Sequence, residues 1–201
     1  MIWRDSIAPT VIGILTGGQS TRMGTDKATF AIDGVTMAQR VADAARATML
    51  EAVVLGPDDA GTGLPSLGDD DDVPAGPLGG LITLLRARPG HRAVLLATDQ
   101  PFVSPYTLVR LASEHPAADV VVPIDAGLPQ VTCARYGPAV LHAFAQAAGG
   151  DDAVWRLRAV LDRVATVRVE PQEWREWGED GRSFVSLDRP DDIETAWPRS
   201  R

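Results

Sequence analysis

Glycines and two basic residues are concentrated between Leu15 and Lys27, where the sequence reads Leu-Thr-Gly-Gly-Gln-Ser-Thr-Arg-Met-Gly-Thr-Asp-Lys. Consecutive backbone N–H groups in a glycine-rich loop can form a concave site for an anion. The guanidinium of Arg22 can bind phosphate oxygens in a fork, and the ammonium of Lys27 adds a point charge. The apolar run before this loop, from Val11 to Leu15, predicts a buried strand. The stretch therefore predicts a phosphate-binding loop at the carboxyl end of a strand.

The spacing of the glycines separates this loop from two common nucleotide-binding motifs. No Gly-Lys-Ser/Thr occurs at the Walker spacing, and Gly17, Gly18 and Gly24 do not follow the dinucleotide pattern G-x-G-x-x-G. The alternative interpretation is a surface turn whose charged side chains are simply solvated.

The loop, written L-x-G-G-x-S-x-R-M-G-x-D-K, resembles the signature loop of nucleotidyltransferases of the molybdenum cofactor guanylyltransferase type. In that family the loop wraps the triphosphate of the incoming nucleotide, and the lysine at the position of Lys27 neutralises it. The resemblance implies that Arg22 and Lys27 act in catalysis. It also implies a nucleotide-binding set within the loop, made of Leu15, Thr16, Gly17, Gly18, Ser20 and Lys27.

Four consecutive carboxylates, Asp69 to Asp72, precede the segment Gly76-Pro-Leu-Gly-Gly80. Such a charge run is usually a solvated loop. The resembled family places an aspartate a few residues before a G-P-L-x-G segment, where it contributes to the guanine nucleotide site. The resemblance thus assigns nucleotide contacts to Asp69 or Asp70 and to Gly79.

Asp99 follows a third apolar run, Ala93 to Ala97, and begins the sequence Asp-Gln-Pro-Phe. Open α/β sheets bind ligands at the carboxyl ends of such strands, and Mg²⁺ prefers one or two carboxylates with waters and phosphate oxygens. The sequence resembles the metal-binding D-x-P turn of the same family. Asp99 is therefore expected to bind Mg²⁺ and the nucleotide and to act in catalysis. The alternative is an N-cap of the next helix, for which Ser104 is the better candidate.

The stretch from Ser183 to Asp192 resembles the family pattern F-x-N-x-N-T-P-E-E, with Ser186 and Asp188 at the two asparagine positions. The resemblance implies that Asp188, at the end of a strand, is a second Mg²⁺ ligand. The alternative is an N-cap for a final helix from Pro190 to Trp197.

Two further positions bear on the base and the second substrate. Where the family often holds the base with an asparagine, this chain has Leu55 and Gly56. The family's Q-P-L or H-P-x segment near the acceptor corresponds to Gln130 and Val131. Gln130 is equally well a polar residue at the edge of a strand.

Strands and helices are predicted to alternate along the chain. Strands are predicted over 11–15, 52–55, 93–97, 120–122, 130–134 and 166–170, and helices over 37–49, 76–86, 106–114, 138–148 and 153–164. This order indicates a three-layer α/β/α sandwich with a mainly parallel, Rossmann-like sheet. The resembled family has such a fold, of the nucleotide-diphospho-sugar transferase type, often with one reversed strand. We expect a single domain over residues 1–201, flexible at 1–10 and 198–201.

The composition, with 45% hydrophobic and 23% charged residues, is typical of a globular protein. A net charge of −8 argues against a nucleic-acid partner. No apolar run approaches membrane-spanning length, and residues 1–10 lack the apolar core of a secretion signal. Cys133, the single cysteine, excludes an intrachain disulfide, favours a cytoplasmic location and is interpreted as a buried strand residue.

The resemblance implies transfer of GMP from GTP to a phosphorylated pterin, molybdopterin or Mo-molybdopterin, with release of pyrophosphate. Such an enzyme needs Mg²⁺ and no protein nucleophile, and we expect a monomer or a weak homo-oligomer. One alternative is cytidylyl or guanylyl transfer to another phosphorylated acceptor. Another is a regulatory protein that binds nucleotide without turnover.

Overall fold

The computed structural model describes residues 9–16, 30–147, 156–187 and 192 of the chain. Its strands are β1 Thr10–Leu15, β2 Ala31–Ile32, β3 Val35–Thr36, β4 Glu51–Leu55, β5 Ser66–Leu67, β6 Arg92–Ala97, β7 Val120–Asp125, β8 Leu128–Pro129, β9 Cys133–Tyr136 and β10 Thr166–Val169. Its helices are α1 Met37–Ala47, α2 Pro77–Ala87, α3 Pro105–Ser113, α4 Ala139–Ala147, α5 Leu157–Val160 and α6 Pro171–Glu176, and a 3-10 helix spans Arg182–Phe184.

The main sheet contains eight strands in the described part of the chain. Seven of them lie in the order β10-β7-β9-β6-β1-β4-β5, and β8 pairs with β7. β1 is parallel to β4 and β6, and β7 is parallel to β10. β9 runs antiparallel to both β6 and β7, and the short β8 is antiparallel to β7. The expected mainly parallel sheet with a reversed strand is therefore confirmed.

Helices cover both faces of this sheet because successive residues of a strand point to opposite sides. Val11 and Leu15 of β1 join an apolar cluster with α2, α4 and α5. Ile12 and Ile14 join a second cluster with α1, α3 and α6. Strands that are buried on both faces have nearly continuous apolar sequences, which explains why the sequence revealed them. The three-layer α/β/α sandwich is confirmed.

Glycines allow α2 to lie very close to the sheet. A Cβ at Gly13 of β1 would lie 2.6 Å from Leu84 Cδ2 and 2.8 Å from Leu55 Cδ1. A Cβ at Gly80 of α2 would lie 3.1 Å from Leu15 Cδ2. The absence of side chains at both glycines therefore brings the first turn of α2 against the ends of β1 and β4.

Local sequence features account for the starts of three of the predicted helices. The Thr36 hydroxyl accepts a hydrogen bond from the backbone N–H of Gln39 at 3.1 Å and caps α1. The Ser104 hydroxyl accepts from the N–H of Tyr106 at 3.2 Å and caps α3. Pro77 is the first residue of α2, where its missing N–H is not needed.

A third, smaller apolar cluster joins three segments that are distant in sequence. Its buried members are Ile32 of β2, Met37 of α1 and Leu187, which is 1% exposed. The partly buried Phe30 and Phe102 pack against them. The cluster attaches the hairpin β2–β3 and the C-terminal segment 183–187 to the turn that follows β6.

Two segments differ from their predictions. The strand predicted over 130–134 begins only at Cys133, because the Cys133 N–H donates to the carbonyl of Gln130 at 2.9 Å and closes a turn. The segment around Trp174 and Trp177, which lies outside every predicted helix, forms α6 with Trp177 as its C-cap. Both indoles are buried, and Trp174 Nε1 donates to the carbonyl of Ile124 at 2.9 Å.

Other predictions extend beyond the described residues. Of the helix predicted over 153–164, residues 153–155 lie outside the described residues, and α5 ends at Val160, earlier than predicted. The final helix predicted from Pro190 to Trp197 lies outside the described residues except for Asp192. The segment before it forms the 3-10 helix Arg182–Phe184 rather than a strand. Within the described ranges, no helix combines the length and apolar character needed to cross a membrane.

Gly79→Ala is expected to lower the free energy of unfolding by about 1–3 kcal/mol through overpacking. A Cβ at Gly79 would lie 2.0 Å from the carbonyl oxygen of Pro74, so the main chain before α2 must move. Gly68→Ala is the control, since a Cβ there meets nothing within 4 Å and the backbone is not left-handed. Urea unfolding followed by circular dichroism measures both, and equal effects would contradict this packing.

Leu187→Ala is expected to lower the free energy of unfolding by about 2–5 kcal/mol, because it empties the centre of the third cluster. Val185→Ala, in the same segment but only partly buried, is the matched control and should cost less. The same unfolding measurement compares them. A loss for Leu187→Ala no larger than that for Val185→Ala would show that the cluster does not hold the segment.

Candidate functional site

The ends of three parallel strands meet at one edge of the sheet. Leu15 at the end of β1 lies opposite Leu55 of β4 and Ala97 of β6. The backbone pairing continues past the strands, since Thr16 N donates to Leu55 O at 3.2 Å and Thr98 N donates to Leu15 O at 3.4 Å. We call the resulting surface the carboxyl edge, made of residues 15–16, 55–56 and 97–99.

Both flanks of the predicted phosphate loop are held at or beside the carboxyl edge. On one side, the hydroxyl of Thr16 donates to Leu55 O at 3.4 Å. On the other side, Phe30 packs into the third cluster with Phe102 and Leu187. Leu15 and Thr16 thus lie at the edge, at the end of β1. The other loop residues with an assigned role lie outside the described residues, so their roles stay predictions; they are Gly17, Gly18, Ser20, Arg22 and Lys27.

Asp99 is half-buried in the turn that leaves β6 at the carboxyl edge. Ser104 is the N-cap of α3, so the alternative interpretation of Asp99 as the cap of this helix is wrong. The carbonyl oxygen of Asp99 accepts a hydrogen bond from the N–H of Leu187 at 2.8 Å. This bond fixes the C-terminal segment to the Asp99 turn.

Asp188 follows Leu187 in the chain and lies outside the described residues. Its assignment as a second Mg²⁺ ligand, and the alternative of a helix cap, both stay predictions. The described residue before it is nevertheless attached directly to the Asp99 turn.

The acidic run is tied to α2 by Arg86. Arg86 Nη1 lies 2.8 Å from Asp72 Oδ1 and 3.1 Å from Asp70 Oδ2. The hydrogen bond from Arg86 lowers the pKa of Asp72. The N–H of Asp70 donates to the hydroxyl of Thr83 at 3.1 Å. Asp69 is exposed and forms no ion pair with any described residue, which makes it the more accessible of the two predicted base contacts.

Gly79 lies in the first turn of α2, whose start is at the carboxyl edge. The close approach of Pro74 O accounts for a glycine at this position without any ligand. Backbone N–H groups in the first turn of a helix lack partners within the helix, so they remain suited to an anion. The assignment of Gly79 to nucleotide binding stays a prediction.

Gln130 lies in the turn between β8 and β9, next to the residues that follow β6. Its side-chain amide donates to Leu128 O at 3.3 Å. Two residues later, Thr132 contacts the buried Gln100 through its hydroxyl at 3.4 Å, and its carbonyl accepts from Ala97 N at 3.1 Å. Because β9 is reversed, its beginning faces the carboxyl edge together with the end of β6.

Two chemically conspicuous residues of β9 are structural. Arg135 is fully buried and donates to the carbonyl oxygens of Glu114, His115 and Ala118 at 2.7, 2.8 and 3.0 Å. Burial lowers the pKa of Arg135 to about 10, so the side chain keeps its charge at neutral pH while it caps the end of α3. Cys133 is also fully buried, and burial raises the pKa of its thiol, as expected for a strand residue that is not a nucleophile.

Sequence reasoning missed one buried acidic residue near the site. Glu179 is 6% exposed and accepts hydrogen bonds from Thr107 and Ser183. Its local sequence, Gly-Glu-Asp-Gly, is typical of a solvated turn and carries no signal of burial.

The donor set at the carboxyl edge fits a Mg²⁺ ion bound together with a nucleotide. In residues 9–16, 30–147, 156–187 and 192, no group of three or more histidine, cysteine, aspartate or glutamate side chains is arranged to hold a metal. Mg²⁺ does not require such a group, because one or two carboxylates, waters and phosphate oxygens complete its shell. Asp99 offers a hard carboxylate of the kind that Mg²⁺ prefers, and its assignment as a metal ligand stays a prediction.

Comparison with known proteins agrees with this arrangement. The family model described as MobA-like NTP transferase domain matches residues 12–169. A protein of Natronomonas pharaonis named probable molybdenum cofactor guanylyltransferase is 33% identical over 196 residues, which cover 92% of this chain and 96% of that protein. A protein of Chloroflexus aggregans with the same name is 28% identical over 189 residues, covering 90% of each chain.

A solved structure gives the same result for the fold. Molybdopterin-guanine dinucleotide biosynthesis protein A of Archaeoglobus fulgidus superposes with a TM-score of 0.76 at 20% identity, covering 92% of this chain and 96% of that one. The match to the family model covers most of the chain, from the third residue of β1 through the carboxyl edge to the end of β10. The chain therefore belongs to the MobA-like NTP transferase family and is a nucleotidyltransferase similar to molybdenum cofactor guanylyltransferases.

Proposed function

We propose that this protein transfers GMP from GTP to the phosphate of molybdopterin or Mo-molybdopterin and releases pyrophosphate. The observation that carries the proposal is the carboxyl edge. Thr16 holds one flank of the predicted phosphate loop at this edge, Phe30 packs the other flank beside it, and the half-buried carboxylate of Asp99 lies at the same edge. The names of the two relatives supply the nucleotide and the acceptor class.

The basic residues of the chain support a specific role for Lys27. It is the only lysine among 19 basic residues, so every other basic position is an arginine. A lysine offers a compact point charge with rotatable donors, whereas an arginine offers a planar fork. The presence of both types in the loop, Arg22 and Lys27, suits a triphosphate whose charge changes during the reaction.

Catalysis in this proposal depends on position and charge rather than on a protein nucleophile. An acceptor phosphate oxygen attacks the α-phosphorus, and the bond between that phosphorus and the pyrophosphate oxygen breaks. Arg22 and Lys27 neutralise the negative charge on the departing pyrophosphate, and the N–H groups of the loop and of the first turn of α2 orient the phosphates. Asp99, with Asp188, would hold Mg²⁺, which when bound neutralises phosphate charge and aligns the oxygens.

Recognition of the base is one feature in which this chain departs from the family pattern. Leu55 is 3% exposed and apolar, and Gly56 has no side chain, so the end of β4 offers no polar side chain to the base. A carboxylate can accept hydrogen bonds from both N1–H and the exocyclic amine of guanine. Of the two carboxylates that the family resemblance assigns to the base, Asp70 is bound to Arg86, so the exposed Asp69 is the candidate for this task.

Calorimetric titration with GTP, CTP, ATP and UTP, with and without Mg²⁺, is the test of the nucleotide. GTP should bind at least about tenfold more tightly than the others, a difference of about 1.4 kcal/mol, and more tightly with Mg²⁺. Pyrophosphate release on addition of molybdopterin then tests the acceptor. Preference for CTP would indicate cytidylyl transfer, and binding without pyrophosphate release would indicate a regulatory protein; either result would contradict the proposal.

Lys27→Ala is expected to lower kcat about 10²–10³-fold while leaving the melting temperature unchanged, because it removes charge stabilisation in the transition state. Lys27→Arg is the matched control: it keeps the charge, changes its geometry, and should retain part of the activity. Steady-state pyrophosphate release and differential scanning fluorimetry measure the two effects. Normal turnover of the alanine variant would remove Lys27 from the mechanism.

A further inference from the structure

Glu179 is a buried carboxylate with four hydrogen-bond donors directed at it. Oε1 accepts from the N–H groups of Gly181 at 2.8 Å and Ser183 at 3.2 Å. Oε2 accepts from the hydroxyls of Ser183 at 2.5 Å and Thr107. An ionised carboxylate is an acceptor only, and hydrogen bonds to it are roughly twice as strong as neutral ones. The cluster is therefore built around the negative charge of Glu179.

The cluster connects two segments that meet at the carboxyl edge. Thr107 belongs to the first turn of α3, directly after the Asp99 turn, whereas Ser183 belongs to the C-terminal segment. The hydroxyl of Ser183 donates to Glu179 and at the same time accepts from the N–H of Ser104 at 2.9 Å. Glu179 thus bridges the start of α3 and the segment 181–183.

The same C-terminal segment ends on the Asp99 turn. Four residues after Ser183, Leu187 N donates to Asp99 O at 2.8 Å, and the Leu187 side chain is buried beside Phe102. Three kinds of contact therefore fix this short segment: the charged cluster at Glu179, the apolar cluster at Leu187 and one backbone hydrogen bond. Asp188 is the next residue in the chain.

Burial of Glu179 is costly if its purpose is stability alone. No described arginine, lysine or histidine forms an ion pair with it, so hydrogen bonds alone offset the loss of its hydration. Well-packed apolar residues often stabilise a fold more than a buried charge does. The four hydrogen bonds to Glu179 are directional, so they favour a single arrangement of the start of α3 and the segment 181–183.

We propose that Glu179 is a positioning residue, which holds the segment 181–187 against the Asp99 turn and thereby fixes Asp99 at the carboxyl edge, where the proposed reaction needs a metal–phosphate site. This inference rests on the proposed nucleotidyl transfer, since it assigns a purpose to the segment within that reaction. Glu179 itself touches neither substrate nor metal and acts through Ser183 and Thr107.

The test compares the wild-type protein with Glu179→Gln, which keeps the shape of the side chain and removes its charge. Amide hydrogen exchange at Leu187 should become at least about tenfold faster, a change of about 1.4 kcal/mol in local opening, while Ala97 in β6 keeps its exchange rate. The apparent Mg²⁺ affinity in pyrophosphate release should fall about tenfold. The GTP dissociation constant measured without metal should change less than about twofold.

Two further variants separate positioning from general destabilisation. Val11→Ala lowers stability from a fully buried position near the start of β1, far from the Asp99 turn, and should alter neither Leu187 exchange nor Mg²⁺ dependence. Thr107→Val removes one of the four donors and leaves Glu179 in place. It should change Leu187 exchange and apparent Mg²⁺ affinity in the same direction as Glu179→Gln but by less. If Glu179→Gln does not fold, Thr107→Val serves as the test in its place.

The outcomes distinguish this inference from the proposed function. Unchanged Leu187 exchange and Mg²⁺ dependence in Glu179→Gln and Thr107→Val, with active wild-type protein, would overturn the positioning role alone. Changes of equal size in Leu187 exchange and Mg²⁺ dependence in Val11→Ala would also overturn it, because they would show that a loss of stability alone produces both effects. Absence of pyrophosphate release by the wild-type protein would overturn the proposed function and the inference with it.

Discussion

The parallel pairing of β1 with β4 and β6 is the constraint on which the rest of the site depends. Its register puts Leu15, Leu55 and Ala97 side by side, so the residues that follow each strand emerge at one edge. The backbone N–H groups of Thr16 and Thr98 extend the same pairing beyond the strands. A slip of one residue would exchange the two faces of β1 and move Gly13 away from α2.

Packing of α2 on this sheet adds a second requirement. Gly13 and Gly80 remove the side chains that would separate the helix from the ends of β1 and β4. The first turn of α2, where backbone N–H groups lack partners within the helix, consequently starts beside the carboxyl edge. Arg86, in the last turn of α2, binds Asp70 and Asp72 and thereby orders the loop that leads into the same helix.

The C-terminal segment reaches the site through contacts of two different kinds. An apolar cluster around Leu187 depends on burial, and the cluster at Glu179 depends on directional hydrogen bonds to a charge. Apolar packing supplies most of the free energy but tolerates small displacements, whereas a carboxylate with four donors specifies one geometry. The combination suits a segment that must stay in register with the Asp99 turn while substrates bind and leave.

Local chemistry explains how much the sequence alone determined. The buried strands, the caps Thr36 and Ser104, the first-turn position of Pro77 and the burial of Cys133 follow from short patterns, because their causes lie within a few residues. The loop motif and Asp99 likewise placed the candidate site at strand ends. Tertiary structure alone decided the burial of Arg135 against three carbonyls, the meeting of Phe30, Phe102 and Leu187, and the hydrogen bond from Thr107 to the buried Glu179. Each of these depends on partners brought together by chain folding, and no local pattern encodes such partners.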